Sequence, residues 1–333
     1  MVDIYILQGK LVKGGRSDIS KGIEDARDAQ TKFMSVEAAI EAHKELHGKF
    51  NNRLNIWMAT ETPRGADEAG FAAIGKASEQ HNIRLTMHLA EALEDRKMIQ
   101  QSYGCTPMQF AKRVDAAASH VVLGHMVHVD LDMDLDILKE SKAHVAHNPT
   151  SNAKLGDGIA PIPAFLSRGI NVCLGSDGAP CNNGHDLLRD MHLAGIIHKA
   201  NSLDASVLPA EQVLEMATIN GARALGLEQS IGSLEVGKKA DFVIVNPHGI
   251  HTVPYDSSSV GRGGMNPTTV VVHSCSSRDI DMVVVDGQCL VKGGKFTHLN
   301  EEELILSAQV AIGNLRQKSG VLAQPLKNNW CYC

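Results

Sequence analysis

The stretch INVCLGSDGAPCNN, residues 170–183, decides the fold. It opens as an apolar run of strand character and breaks at Gly175-Ser176-Asp177-Gly178. Asp and Gly are ordinary turn residues, so a plain turn is one reading. The other is that Asp177 is a carboxylate presented where a buried strand ends, the place where parallel sheets and barrels bind ligands. Upstream segments decide between the two. LNIWMATET (54–62), IRLTMHLAE (83–91), HVVLGHMVH (120–128) and AHVAHNPT (143–150) are also apolar runs that finish in polar chemistry. They end in Thr60 and Glu61, in His88 and Glu91, in His125 and His128, and in His147. One such residue is unremarkable, whereas successive strands each delivering His, Glu or Asp predict a shared polar site.

Between these runs lie segments with apolar residues at helical spacing, such as GADEAGFAAIGKASEQHN (65–82) and MDLDILKESK (133–142). PIPAFLSRG (161–169) reads as a short helix ended by Gly169. Continuously apolar strands alternating with helices predict βαβ units and a parallel sheet. EQVLEMATINGARALGLEQS (211–230) continues the helical pattern, and then the character changes. IGSLEVGKKADFVIVNP (231–247) and IDMVVVDGQCLVKGGKF (280–296) are short apolar strands separated by turn-forming Gly. The organisation predicted is an α/β region over 1–230, a small β domain over 231–297, and a helix with a polar tail over 298–333.

The 333 residues carry a formal charge of −6, with 43% hydrophobic and 21% charged residues, as in a globular protein. Nothing gives the basic footprint of a nucleic-acid binder, and no apolar run has the length of a membrane span. Seven scattered cysteines without CxxC pairs argue against a disulfide framework or a zinc ribbon, so a cytoplasmic location is expected.

The strand-end residues suit metal-assisted hydrolysis. Neutral imidazole and carboxylate hold zinc or iron at about 2 Å, and the ion lowers the pKa of water toward neutrality. Expelling an amine from a ring also requires proton transfer, for which a nearby Glu is suited. His88 could ligate, Glu91 could shuttle protons, His125 could polarise, and Asp177 could ligate or act as a base.

HLAE (88–91), GHMVH (124–128), HNPTSNAKLGDGIAPI (147–162) and LGSDGAPCNN (174–183) closely resemble the amidohydrolase superfamily. Within it they are similar to the branch of guanine, cytosine and S-adenosylhomocysteine deaminases and triazine hydrolases, and IGSLEVGKKADFVIVN (231–246) resembles the return to that family's small β domain. The resemblance implies a (β/α)8 TIM-type barrel with a β-sandwich. It implies His88 as the metal ligand after strand five, Glu91 as proton shuttle, and His125 beside metal and substrate after strand six. It further implies Asp177 as the strand-eight ligand or base, His147 lining the substrate pocket, and a single Zn2+ or Fe2+ ion.

The sequence departs from that pattern at its start. The family opens its site with an HxH pair after the first barrel strand, and no HxH occurs in these 333 residues. If 170–178 is the eighth strand, 54–62 is the fourth and only 53 residues precede it. Three βα units would need on the order of 90 residues at about 30 each. VDIYILQGKLV (2–12) then supplies the third strand, and the expected barrel is incomplete at its N-terminus, with an incomplete metal site. His43 and His47, at i and i+4, read as a solvated helix face rather than a second metal site. The function expected is metal-dependent hydrolysis of carbon–nitrogen bonds in a cyclic amidine, most simply deamination of a small heterocyclic substrate. Triazine dehalogenation and an inactive barrel with an interaction role are the alternatives. A homo-oligomer would cover exposed strand edges.

Overall fold

In the computed structural model, which describes residues 3–8, 36–60, 63, 68–256, 258, 260 and 265–319, six strands form one parallel sheet. They are β1 (Asp3–Gln8), β2 (Leu54–Thr60), β3 (Leu85–Leu89), β4 (Val121–His125), β5 (His144–His147) and β6 (Val172–Leu174), neighbours in chain order. Parallel strands in chain order are the α/β arrangement expected from the alternation of apolar runs and helices. The register pairs Asp3 with Leu54, Met58 with Leu85, Leu85 with Val121, Val122 with His144 and Val145 with Val172. Glu61 and the expected polar tail after residue 319 lie outside the described residues.

Helices fill the crossovers, as parallel pairing requires. They are α1 (Val36–Leu46), α2 (Lys49–Asn52), α3 (Glu68–His81), α4 (Leu93–Tyr103), α5 (Pro107–Arg113), α6 (Asp134–Ser141), α7 (Pro149–Leu155) and α8 (Ile162–Ser167). After β6 come α9 (Ala179–Asn182), α10 (Leu187–Ser202), α11 (Ala210–Ala217) and α12 (Ile219–Leu225). A second, antiparallel sheet contains β7 (Phe242–Val245), β8 (Ile280–Val285), β9 (Gln288–Lys292) and β10 (Lys295–Phe296), in the order β10-β9-β8-β7. Between β7 and β8, α13 (Pro267–His273) packs back on α10 and α11. The last helix, α14 (Glu301–Ser319), has no buried residue. No described helix is long and apolar enough to cross a membrane.

Alternation along the strands sets two environments. Leu85, Met87, Leu89, Val121, Leu123, Val145 and Val172 face the helices and join Phe71, Ile74, Phe110, Phe165, Met191 and Met216 in the main core. Burying each such side chain contributes roughly 1.5–3 kcal/mol. The intervening residues face the barrel interior, where Trp57, Val122, Cys173 and Ala224 form a small separate cluster. Trp57 is in this cluster, whereas its neighbour Met58 joins the helix-side core. His88 belongs to the inward set, since its strand neighbours Met87 and Leu89 are buried outward.

Asn220 of α12 donates to the carbonyl of Val172 at 3.1 Å, and Asn171 donates to the carbonyl of Asn220 at 3.0 Å. These bonds hold α12 against the N-terminal ends of the strands. Of the pair read as a solvated face, His47 is exposed and His43 is half-buried. His43 Nδ1 is 2.8 Å from the Ile56 carbonyl and the Ile56 N–H donates to His47 Nδ1 at 3.2 Å, which seats α1 and the turn after it on β2.

Candidate active site

The C-terminal ends of β3, β4 and β6 share an unusual backbone. Ala90, His125, Met126 and Asp177 take positive φ values of 52°, 71°, 52° and 61°, although none is glycine. That conformation costs a residue with a Cβ about 1 kcal/mol or more, and it persists where the surroundings over-determine it. Here they do. The turn after β4 is hydrogen-bonded to the turn after β3, Met126 N–H to Leu89 O at 3.1 Å and Val127 N–H to Ala90 O at 2.9 Å. The result brings His125 over His88, their rings stacked 5.2 Å apart at 22°.

Asp177 completes the group. One candidate ligand atom from each of His88, His125 and Asp177 lies within 4.8 Å of the other two. Bonds of about 2.0–2.2 Å to one zinc ion place donors roughly 3–3.5 Å apart, so small side-chain movements close the triad. Two imidazoles and a carboxylate form a donor set that zinc or iron accepts. The residues present therefore fit a single ion, and His125 stands with the two ligands expected from the sequence.

Hydrogen bonds orient each donor. His125 Nδ1 is 2.8 Å from Asn152 Oδ1, an acceptor, so the ring proton sits on Nδ1 and the Nε2 lone pair faces the site. Ser151 Oγ donates to Asp177 Oδ2 at 2.5 Å and Gly178 N–H donates to Oδ1 at 2.6 Å. Burial alone would raise the Asp177 pKa. The Ser151 and Gly178 hydrogen bonds, with the nearby His125 and His88, outweigh it and hold the carboxyl below its ordinary range. Ser151 and Asn152 both stand on α7, so one helix orients two candidate ligands.

Glu91 lies beside them, its Oε1 3.7 Å from His125 Nε2. Its turn is held by the buried Asp95, which accepts from the N–H groups of Glu91 and Ala92 at 3.1 Å each. On α9, the Cys181 thiol contacts Asp177, and burial followed by the Asp177 and Glu91 charges raises its pKa.

His147 ends β5. It is 1% exposed, lies outside the His88–His125–Asp177 group, and puts Nε2 3.1 Å from His198 Nε2 on α10. Burial lowers both rings, His147 well below the usual value and His198 to about 4, so the pair is neutral at pH 7. Ser151, Asn152 and His198 are site-supporting residues that the sequence reading did not single out. The signal for two of them is in HNPTSN (147–152), where Ser151 and Asn152 follow His147 by four and five positions.

Comparison with known proteins then fixes the family. The amidohydrolase family model matches residues 15–290. The chain belongs to the amidohydrolase family. It is 31% identical over 318 residues to the 5′-deoxyadenosine deaminase of Methanosphaera stadtmanae, covering 94% of this chain and 72% of that protein. It is 33% identical over 297 residues to the 5-methylthioadenosine/S-adenosylhomocysteine deaminase of Moorella thermoacetica, covering 89% and 67%. Among solved structures, it superposes on a zinc-bound adenosine deaminase from Xanthomonas campestris with a TM-score of 0.79 at 24% identity, covering 86% of this chain and 64% of that one. A zinc complex of atrazine chlorohydrolase from Arthrobacter aurescens TC1 gives 0.75 at 23%, covering 92% and 71%. These superpositions establish the amidohydrolase barrel fold.

Proposed function

We propose that this chain deaminates the adenine ring of a 5′-modified adenosine, of the kind named for its deaminase relatives, by metal-dependent hydrolysis. Amidohydrolase membership implies metal-dependent hydrolysis of a carbon–nitrogen bond. The observation that carries the finer reading is the approach of Glu91 to a triad of potential metal ligands, His88, His125 and Asp177. In this reading His88, Asp177 and His125 hold one zinc or iron ion. When bound, the ion supplies Lewis acidity and lowers the pKa of the attacking water.

The remaining work is proton transfer, and it falls to the chain. Water attack at C6 of adenine requires both water protons to leave the oxygen in turn, one reaching the ring nitrogen and the other the departing amine. Glu91 accepts the first on its carboxylate and returns it to the ring. Asp177, kept ionised by Ser151 and Gly178, is the second base, taking the remaining proton from the hydroxyl on C6 for delivery to the departing amine. His125, with Nδ1–H committed to Asn152, offers its Nε2 lone pair to the ion. His147 and His198 support the β5 end from below.

The test is purified protein loaded with zinc or iron, assayed for ammonia release from 5′-deoxyadenosine, methylthioadenosine and S-adenosylhomocysteine. Glu91→Gln should abolish turnover and keep the metal; His88→Ala should lose both. Full activity in Glu91→Gln would overturn the shuttle. Metal-free, inactive wild type would favour an interaction role.

A further inference from the structure

A second polar cavity lies at the opposite end of the barrel, where the proposed chemistry does not reach. Its volume is about 260 Å3, and it is lined by His47, Asn55, Trp57, Asn82, Arg84 and His120 together with the turn after α12. Asn55 stands in the first turn of β2, and Arg84 and His120 immediately precede β3 and β4. On a comparable measure one water needs roughly 15 Å3, so the space exceeds what a bridging water fills.

The lining combines one guanidinium with imidazoles and carboxamides. Arg84 lies over the Trp57 ring, 5.0 Å from its centroid, and its Nη2 donates to Ala224 O at 2.5 Å, at the C-terminal end of α12. Its Nε is buried without an acceptor, and so is Nε2 of His120. Buried polar atoms of this kind normally have a protein, water or ion partner. No acidic side chain lines the cavity among the described residues. Glu228 is near enough to act on Arg84, and one of its carboxylate oxygens is also buried and unpaired, but it stands outside the lining. A guanidinium stacked on an indole, beside imidazoles and two carboxamides, is a setting for an oxyanion.

We propose that this cavity binds a phosphate group, held between the Arg84 guanidinium and His120, either as the free ion or as the monoester of a small metabolite. The site is independent of the metal centre, because it uses the N-terminal strand ends. It would act on the barrel through the contact of Arg84 with α12.

The experiment titrates the full chain with sodium phosphate, ribose 5-phosphate and sodium sulfate against sodium chloride at matched ionic strength. Binding is followed by calorimetry and by the thermal midpoint. The expected result is saturable binding and stabilisation in the wild type and in His88→Ala, with affinity at least about tenfold weaker in Arg84→Gln. Arg84→Gln also removes a bond to α12, so His120→Leu, which leaves that bond intact, is the second variant and should weaken binding as well. Tighter binding of ribose 5-phosphate than of phosphate assigns the site to a metabolite; equal binding assigns it to the free ion. The proposal falls if oxyanions do no more than chloride, or if binding survives in both Arg84→Gln and His120→Leu. It also falls if binding disappears in His88→Ala, which would put the anion at the metal centre.

Discussion

Asn152 and Ser151 act on the candidate site through other residues. With Nδ1–H of His125 bound to Asn152 at 2.8 Å, the ring has one tautomer and one orientation. Asn152→Ala frees both, and partners of this kind typically change metal affinity or activity by 10–100-fold. The expected outcome is that loss in kcat or zinc affinity with the far-UV spectrum unchanged. Ser151→Ala tests Asp177 by pH. The folded pKa of Asp177 lies below its ordinary 3.8, so its stabilising contribution is complete above that value and is lost as pH falls through the folded pKa. Removing the Ser151 hydroxyl raises the folded pKa. Acid unfolding of the metal-free protein should therefore begin at higher pH in Ser151→Ala than in wild type. The motif of Ser151 and Asn152, HNPTSN, is visible in the sequence, but a hydroxyl and a carboxamide on a helix do not by themselves show which groups they bind. Only the approach of α7 to the ends of β4 and β6 makes them partners. His88, Glu91, His125 and Asp177 are legible because each ends an apolar run.

The helices show the same division between pattern and contact. The spacing of GADEAGFAAIGKASEQHN predicts α3, but it does not explain Gly75 in the helix interior. A Cβ there would lie 2.0 Å from the Val114 carbonyl oxygen, so α3 lies against backbone at that point. Gly75→Ala should destabilise by about 1–3 kcal/mol, as overpacking does. It should lower the urea midpoint at unchanged slope. The contact between β5 and α10 gives an element-scale pH effect. Both His147 and His198 are kept neutral by burial, and the folded pKa of His198 is about 4. Unfolded histidine titrates near 6.5, so between those values the unfolded chain binds more protons and stability falls as pH falls. The slope is roughly 1.4 kcal/mol per pH unit for each proton taken up. Unfolding midpoints measured from pH 7 to pH 5 should decline, and His198→Phe should flatten the decline. An unchanged slope in that variant would show that the imidazole pair is not its source.

At the scale of the molecule, the candidate ligands join distant parts of one sheet. His88 ends β3, His125 ends β4 and Asp177 follows β6, so an ion held by all three would link strands separated by β5. The strand order was legible because continuous apolar runs alternate with helices. The sequence sets His125 beside the metal, and the left-handed backbone at residues 125 and 126 is what brings it among the potential ligands. An ion that binds only the folded chain stabilises it by RT ln(1 + [L]/Kd), about 2.7 kcal/mol at a hundredfold excess over Kd. Zinc should therefore raise the thermal midpoint of the chelator-treated protein by several degrees, and EDTA should reverse the rise. His88→Ala and Asp177→Ala should remove the zinc-dependent rise, whereas Glu91→Gln should keep it, since Glu91 meets His125 from outside the triad at 3.7 Å. If Glu91→Gln removed the rise while His88→Ala kept it, the ligand and the shuttle would have to exchange roles. The three strand ends would then not meet around one ion.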